Sequence, residues 1–194
     1  PISWLVQGPS SLSSIDKFHR SVRQNDKSAS LIEVPKIVHF TIGNDSPAYQ
    51  LRVMEYSIKR AKHYDFKVVV HRDRNIENLV YEQYPAFVEA WERLKIHEGV
   101  DKGAHIASFA RILVLYHYGG IYLDGDVVIC QDLTELVDEP GVATFPQISW
   151  HRGRINNAVM SGPPGHPVFE IALNEMKSNN NLASGNLMIA TGPV

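Results

Sequence analysis

Ala104–Cys130 reads AHIASFARILVLYHYGGIYLDGDVVIC, and the order of residue types within it decides the fold. From Ala104 to Tyr118 every residue is compatible with a helix. Ala104, Ala107, Ala110 or Arg111, and Val114 recur at the three-to-four spacing that aligns side chains on one face. Gly119-Gly120 stops that helix, because a glycine past a helix end takes a left-handed backbone without steric cost and a second glycine lets the chain reverse into a strand. Ile121, Tyr122 and Leu123 are strand formers, and VVIC after the acidic turn reads as a further apolar strand. Between them stand Asp124 and Asp126, separated only by Gly125.

That turn has two readings. Asp-Gly between apolar runs is the strongest short-range signal for a two-residue hairpin, and IYL-DG-DVV fits it. Two acids one residue apart at a strand end also suit a hard cation, since Mg²⁺ or Mn²⁺ is held by one or two carboxylates plus substrate phosphates. The readings are compatible, because a hairpin would hold both carboxylates at a sheet edge. Arg111, embedded among Phe109, Ile112, Leu113 and Val114, needs an anionic partner. Asp124 would serve structurally and a diphosphate functionally.

Toward the N-terminus, Val34–Thr41 is the first core strand, Ala48–His63 has helical spacing through Leu51, Met54, Ile58 and Ala61, and Phe66–His71 is a continuous apolar strand of the parallel-sheet kind. Strand, helix and strand in this order form a βαβ unit, which belongs to an α/β fold with ligands at the carboxyl ends of strands. Within it His39 is either a hydrogen-bonded core histidine or a residue near a ligand. Asn44-Asp45-Ser46 is a glycosylation sequon, usable only in a secretory compartment. Asp73–Ile96 is a connecting segment followed by a helix with Phe87, Ala90, Trp91 and Leu94 on one face. His97–Lys102 is a loop, and Asp101 is an N-cap for the central helix.

Beyond Cys130, which follows an apolar strand and reads as an inert core thiol, LTELV is a short helix and Gly141–Phe145 another strand. Trp150-His151-Arg152 either packs on a sugar face or packs as a loop. Asn156 and Asn157 open a later strand, His166–Lys177 is an amphipathic helix, and Asn179–Asn181 is a loop. Pro1–Glu33 is polar and serine-rich, with a helix over Leu12–Gln24 whose Leu12, Ile15, Phe18 and Val22 suggest an extension lying on the main domain.

Of the 194 residues, 44% are hydrophobic and 21% charged, the composition of an ordinary globular chain. The formal net charge is −2 and no basic block stands out, which argues against nucleic acid as a partner. A single cysteine excludes an internal disulfide and a cysteine-built zinc cage. No apolar run approaches the roughly 20 residues of a membrane span. The chain begins at Pro1 rather than methionine, so processing could have removed an anchor, which leaves cytoplasm and Golgi lumen both open.

AHIASFARILVLYHYGGIYLDGDVV resembles the signature block of the DXD-containing glycosyltransferases of the sugar-binding-region family, which includes yeast-type initiating mannosyltransferases, α-1,4-galactosyltransferases and clostridial glucosylating toxin domains. VPKIVHF at Val34–Phe40 resembles their first strand, and NNAVMSGPPGHPVFE at Asn156–Glu170 a later strand, loop and helix. Together these cover most of Val34–Glu170. The resemblance implies an α/β fold of the nucleotide-diphospho-sugar transferase (GT-A) type, with a mixed, mostly parallel sheet flanked by helices, over residues 34–194. It implies a retaining hexosyltransferase that moves a sugar from a UDP-sugar or GDP-mannose to a hydroxyl of a glycan, lipid or protein, using Mn²⁺ or Mg²⁺.

By the same resemblance, Asp126 and Asp124 hold the metal, and Arg111 shares the charge of the departing diphosphate. Ser108, Tyr122, Asp124, His39, Phe40 and Thr41 contact the donor, while Asn157, Trp150 and His151 face the sugar or acceptor. Ser108 stands where the family has an aspartate, and HFTIG lacks the family's base-stacking tryptophan. Many members also continue with a functional segment after the Thr-Gly-Pro found here at Thr191–Pro193. Two alternatives follow, a degenerate nucleotide-sugar-binding domain without turnover and a haloacid-dehalogenase-type phosphatase with Asp124 as nucleophile.

Overall fold

The computed structural model describes residues 32–43, 46–96, 102–146 and 157–178. The expected helix over 12–24, the Asp101 cap, Trp150, His151, the 179–181 loop and Thr191–Pro193 lie outside them. Four strands form one mixed sheet in the order β2-β1-β3-β4, with β1 at Ile37–Ile42, β2 at Lys67–Arg72, β3 at Gly120–Leu123 and β4 at Val159–Gly162. β1 pairs in parallel with β2 and β3, and β3 pairs antiparallel with β4. Helix α1 (Ala48–His63) joins β1 to β2 as the expected crossover.

Alternation along the strands separates two cores. Val38, Phe40, Ile121 and Leu123 face one side and pack with Met54 and Ala61 of α1 and with Ile129 and Val137. The other layer holds α2 (Asp73–Gln83), α3 (Val88–Ile96), α4 (Lys102–Tyr118) and α5 (Pro167–Ser178), whose cluster includes Ile76, Trp91, Phe109, Leu113 and Leu173. The helix expected at the end of Asp73–Ile96 is α3, while the connecting segment before it is itself helical as α2, the two separated at the Pro85–Phe87 turn because proline cannot continue a helix from within.

α4 ends at Gly119-Gly120 for two physical reasons. Both residues have positive φ, 63° and 94°, and a Cβ on Gly120 would lie 2.6 Å from the Ile37 carbonyl oxygen. Only glycine brings β3 this close to β1 directly from the helix.

Several expectations are corrected here. The DGD turn is not a hairpin, since β3 already has β1 on one edge and β4 on the other, and Val127–Cys130 is not a strand. The buried Ser57 hydroxyl of α1 instead donates to the Val127 carbonyl at 2.8 Å and accepts from the Ile129 amide at 3.1 Å. Cys130 is exposed rather than a core thiol, because with no strand to carry it inward the chain leaves it at the surface. Gly141–Phe145 forms only an isolated bridge, Thr144 to Ser161, and LTELV contracts to one 3₁₀ turn at Thr134–Leu136.

Candidate active site

At the carboxyl ends of β1, β2 and β3 lies a cavity of about 620 Å³, whose walls include Thr41, Asp73, Arg111, Tyr122, Asp124 and Asp126. This is where an open α/β sheet binds ligands. The pleat explains the membership, since Thr41 and Tyr122 point to the α4 side of the sheet while Phe40 points to the other and is wholly buried.

Arg111 is only 7% exposed; its Nε donates to the Ala107 carbonyl of its own helix at 3.4 Å, and three further contacts come from outside that helix. Nη1 donates to the Asn157 carbonyl at 2.8 Å, Nη2 lies 3.3 Å from Asp124 Oδ1, and the guanidinium sits over the Tyr122 ring at 5.4 Å from its centroid. Tyr122 donates its hydroxyl to the same Asp124 oxygen at 2.8 Å, so the Thr41 hydroxyl, also at 2.8 Å, donates to Tyr122. Asp124 is further anchored by its amide, which donates to the Ala158 carbonyl at 2.9 Å. The result is a directed chain, Thr41 to Tyr122 to Asp124, closed by Arg111.

Electrostatics follow from burial. Burial raises the Asp124 carboxyl above the usual aspartate value; Arg111 and the Tyr122 hydroxyl oppose that shift, and the Asp126 charge adds to it. Burial also pushes the Tyr122 hydroxyl up, which keeps it a neutral donor. Asp126 is exposed at the cavity wall. Gly125 between them is buried, and a Cβ there would meet Gln50 at 3.0 Å, so the turn sits tightly on α1.

Asp124 and Asp126 fit a divalent cation of the kind that takes its remaining ligands from substrate phosphates. They do not fit a fully protein-built cage, since among the described residues no group of three or more His, Cys, Asp or Glu side chains converges.

The expected donor residues divide. Thr41, Arg111, Tyr122, Asp124 and Asp126 come together on the cavity. Ser108 is buried in α4 and does not line it, because the face of α4 turned to the cavity carries Ala104, Ala107 and Arg111 instead. His39 is the packed core histidine of the two readings, 1% exposed and bonded within the protein. Phe40 is core. Asn157 meets the site through its backbone carbonyl on Arg111. Sequence reasoning missed His71, Asp73 and Gln50 as cavity residues. The signal for the first two was their position at the end of β2, the carboxyl edge that α/β sheets use.

The model of glycosyltransferase sugar-binding regions containing a DXD motif matches residues 47–143. The chain belongs to this family. Among curated relatives, inositol phosphoceramide mannosyltransferase 2 of Schizosaccharomyces pombe is 27% identical over 83% of this chain and 44% of its own length. Mannosyl phosphorylinositol ceramide synthase SUR1 of Saccharomyces cerevisiae is 28% identical over 83% of this chain and 40% of its own. This family member therefore spans less than half the length of those relatives. Its fold matches the solved PaToxG glycosyltransferase with a TM-score of 0.65, covering 93% of this chain and 74% of that one at 17% identity.

Proposed function

We propose that this chain carries the donor site of a retaining glycosyltransferase that moves a hexose from a nucleotide sugar to a hydroxyl acceptor. The observation that carries this is the Arg111–Asp124–Tyr122 cluster beside Asp126 in one cavity. The two named relatives are, by their names, an inositol phosphoceramide mannosyltransferase and a mannosyl phosphorylinositol ceramide synthase. Mannose as the sugar and a lipid-linked inositol hydroxyl as the acceptor are therefore the first choices.

Asp126 and Asp124 would hold Mn²⁺ or Mg²⁺, which supplies Lewis-acid stabilisation of a leaving diphosphate. Arg111 adds a fixed positive charge in a water-poor wall, where charge stabilisation is strongest. Tyr122 and Arg111 hold Asp124 in one orientation so that the second carboxylate is free to turn toward the ligand. With Asp124 engaged this way, no side chain among the described residues is assigned as a covalent nucleophile. The acceptor hydroxyl attacks from the face that the diphosphate leaves. One sugar–phosphate C–O bond breaks, one sugar–acceptor C–O bond forms, and the hydroxyl proton passes to the departing diphosphate. Family membership speaks against the phosphatase alternative; the second reading, a binding-only domain, is favoured by Ser108 standing where the family has an aspartate.

The test is a thermal-shift panel of UDP, GDP, UDP-sugars and GDP-mannose with and without Mn²⁺, repeated on Asp126→Ala. One nucleotide family should stabilise the protein only with Mn²⁺, and Asp126→Ala should lose that response. Silence from a well-folded wild type would sink the donor-site reading. Donor hydrolysis or transfer by the stabilised complex separates an enzyme from a binding domain.

A further inference from the structure

The cavity wall opposite the DGD turn has different chemistry. It is built at the end of β2 by His71, which is 6% exposed, and by Asp73 two residues on, with Thr41 beside His71 in the β1–β2 register.

The proton positions there follow from one backbone atom. The Gly119 carbonyl can only accept, so His39 donates to it through Nε2, at 2.9 Å. A neutral His39 then presents a bare lone pair at Nδ1. That lone pair lies 3.0 Å from His71 Nε2, which must therefore carry the proton. In the neutral His71 ring the remaining nitrogen, Nδ1, is left as an acceptor. Tyr118 packs its ring against both imidazoles, at 5.7 and 5.6 Å between centroids. Burial disfavours the charged form of each histidine, and Lys67 further opposes charge on His39.

This wall thus offers acceptors, the His71 nitrogen and the Asp73 carboxylate. Phosphate, which carries negative charge and only accepts, belongs at the Arg111 end. A nucleobase edge bearing N–H groups has the complementary pattern.

Resting on the donor-site reading above, we propose that His71 is a specificity-determining residue of the cavity. Its tautomer-locked imidazole accepts a hydrogen bond from a ring N–H of the donor's nucleobase, of the lactam or imide kind found in guanine and uracil, and so orients the nucleoside against β2. His39 is the positioning residue that sets this tautomer.

The experiment measures affinities, in Mn²⁺, of the nucleoside diphosphate that stabilises the wild type, of its base-N-methylated analogue and of inorganic pyrophosphate. The proteins are wild type, His71→Phe and His71→Gln. His71→Phe keeps a ring beside Tyr118 but has no acceptor, while His71→Gln restores an acceptor oxygen. Expected are a roughly tenfold loss of nucleotide affinity in His71→Phe, partial recovery in His71→Gln and unchanged pyrophosphate binding throughout. N-methylation should cost the wild type a similar factor and His71→Phe nothing, the signature of a direct pair in a double-mutant cycle. Nucleotide affinity untouched in His71→Phe, or pyrophosphate affinity lost in parallel with it, overturns the proposal while leaving the donor site standing. A wild type that binds no nucleotide overturns the donor-site reading itself, and this proposal with it.

Discussion

Asp124 and Asp126 are the same residue type two positions apart, yet the structure gives them different work. Asp124 accepts from Tyr122 and faces the nearly buried Arg111, whereas Asp126 is exposed. Removing the Asp124 charge leaves an arginine in a dry wall with carbonyls for company. Asp124→Asn should therefore cost about 1–3 kcal/mol in urea unfolding, while Asp126→Asn should change stability by no more than about 0.5 kcal/mol. Both should lose the Mn²⁺-dependent response to nucleotide. A near-zero loss in Asp124→Asn would mean that the Arg111 contact contributes nothing. Both acids and Arg111 were legible in the sequence because a short acidic turn after a strand and an arginine among apolar neighbours are local patterns. The inequality between them was not, since it depends on Tyr122 and Thr41, residues from two strands far apart in the chain. His71 escaped for a similar reason, because its meaning comes from His39 and from the carbonyl of Gly119.

Among the elements, the junction of α4 and β3 is the least forgiving. Gly120→Ala places a methyl 2.6 Å from the Ile37 carbonyl at a φ that L-residues avoid, so a loss of at least about 2 kcal/mol is expected in denaturant titration. A near-neutral result would show that the junction relaxes. The segment after the turn makes the opposite case. Val127–Cys130 is satisfied by Ser57 rather than by a ladder, and Cys130 is exposed. Native protein should thus react fully with a thiol reagent, at a rate close to that of the urea-unfolded chain. Protection of the thiol would restore the core-strand reading. Helix α1 and strands β1 and β2 fall within a residue or three of the sequence expectation, because period and punctuation are local. Asp-Gly misled because a hairpin signal says nothing of which strands already occupy the neighbouring edges.

For the whole molecule, the histidine pair gives a pH dependence of folding. It joins β1, β2 and the end of α4. Burial holds His39 near about 3 and His71 near about 4, against 6.5 for an unperturbed imidazole, and the His71 and Lys67 charges assist at His39 while its Gly119 bond opposes. From pH 6.5 down to about 4 the unfolded chain binds protons that the folded chain refuses. Stability is therefore complete above that window and falls as pH drops through it, by up to about 1.4 kcal/mol per pH unit for each histidine. His117, lowered by partial burial, adds in the same direction, whereas Asp124, raised by burial, acts in the opposite sense from its unperturbed 3.8 upward. Urea midpoints across this range test it, and His71→Phe should flatten the slope. A pH-independent midpoint would contradict a neutral buried pair. At this scale the α/β class and the parallel β1–β2 pairing were readable from the βαβ pattern. The antiparallel β4 beside β3 was not, since pairing across the molecule leaves no mark in local periodicity.

Two consecutive carbonyls meet the charge pair, that of Asn157 accepting from the Arg111 guanidinium and that of Ala158 accepting from the Asp124 backbone amide. The guanidinium and the acidic turn are therefore both referred to two adjoining peptide units at the entry to β4. A substitution that shifts the Asn157–Ala158 backbone should thus be felt at both ends of the ion pair at once.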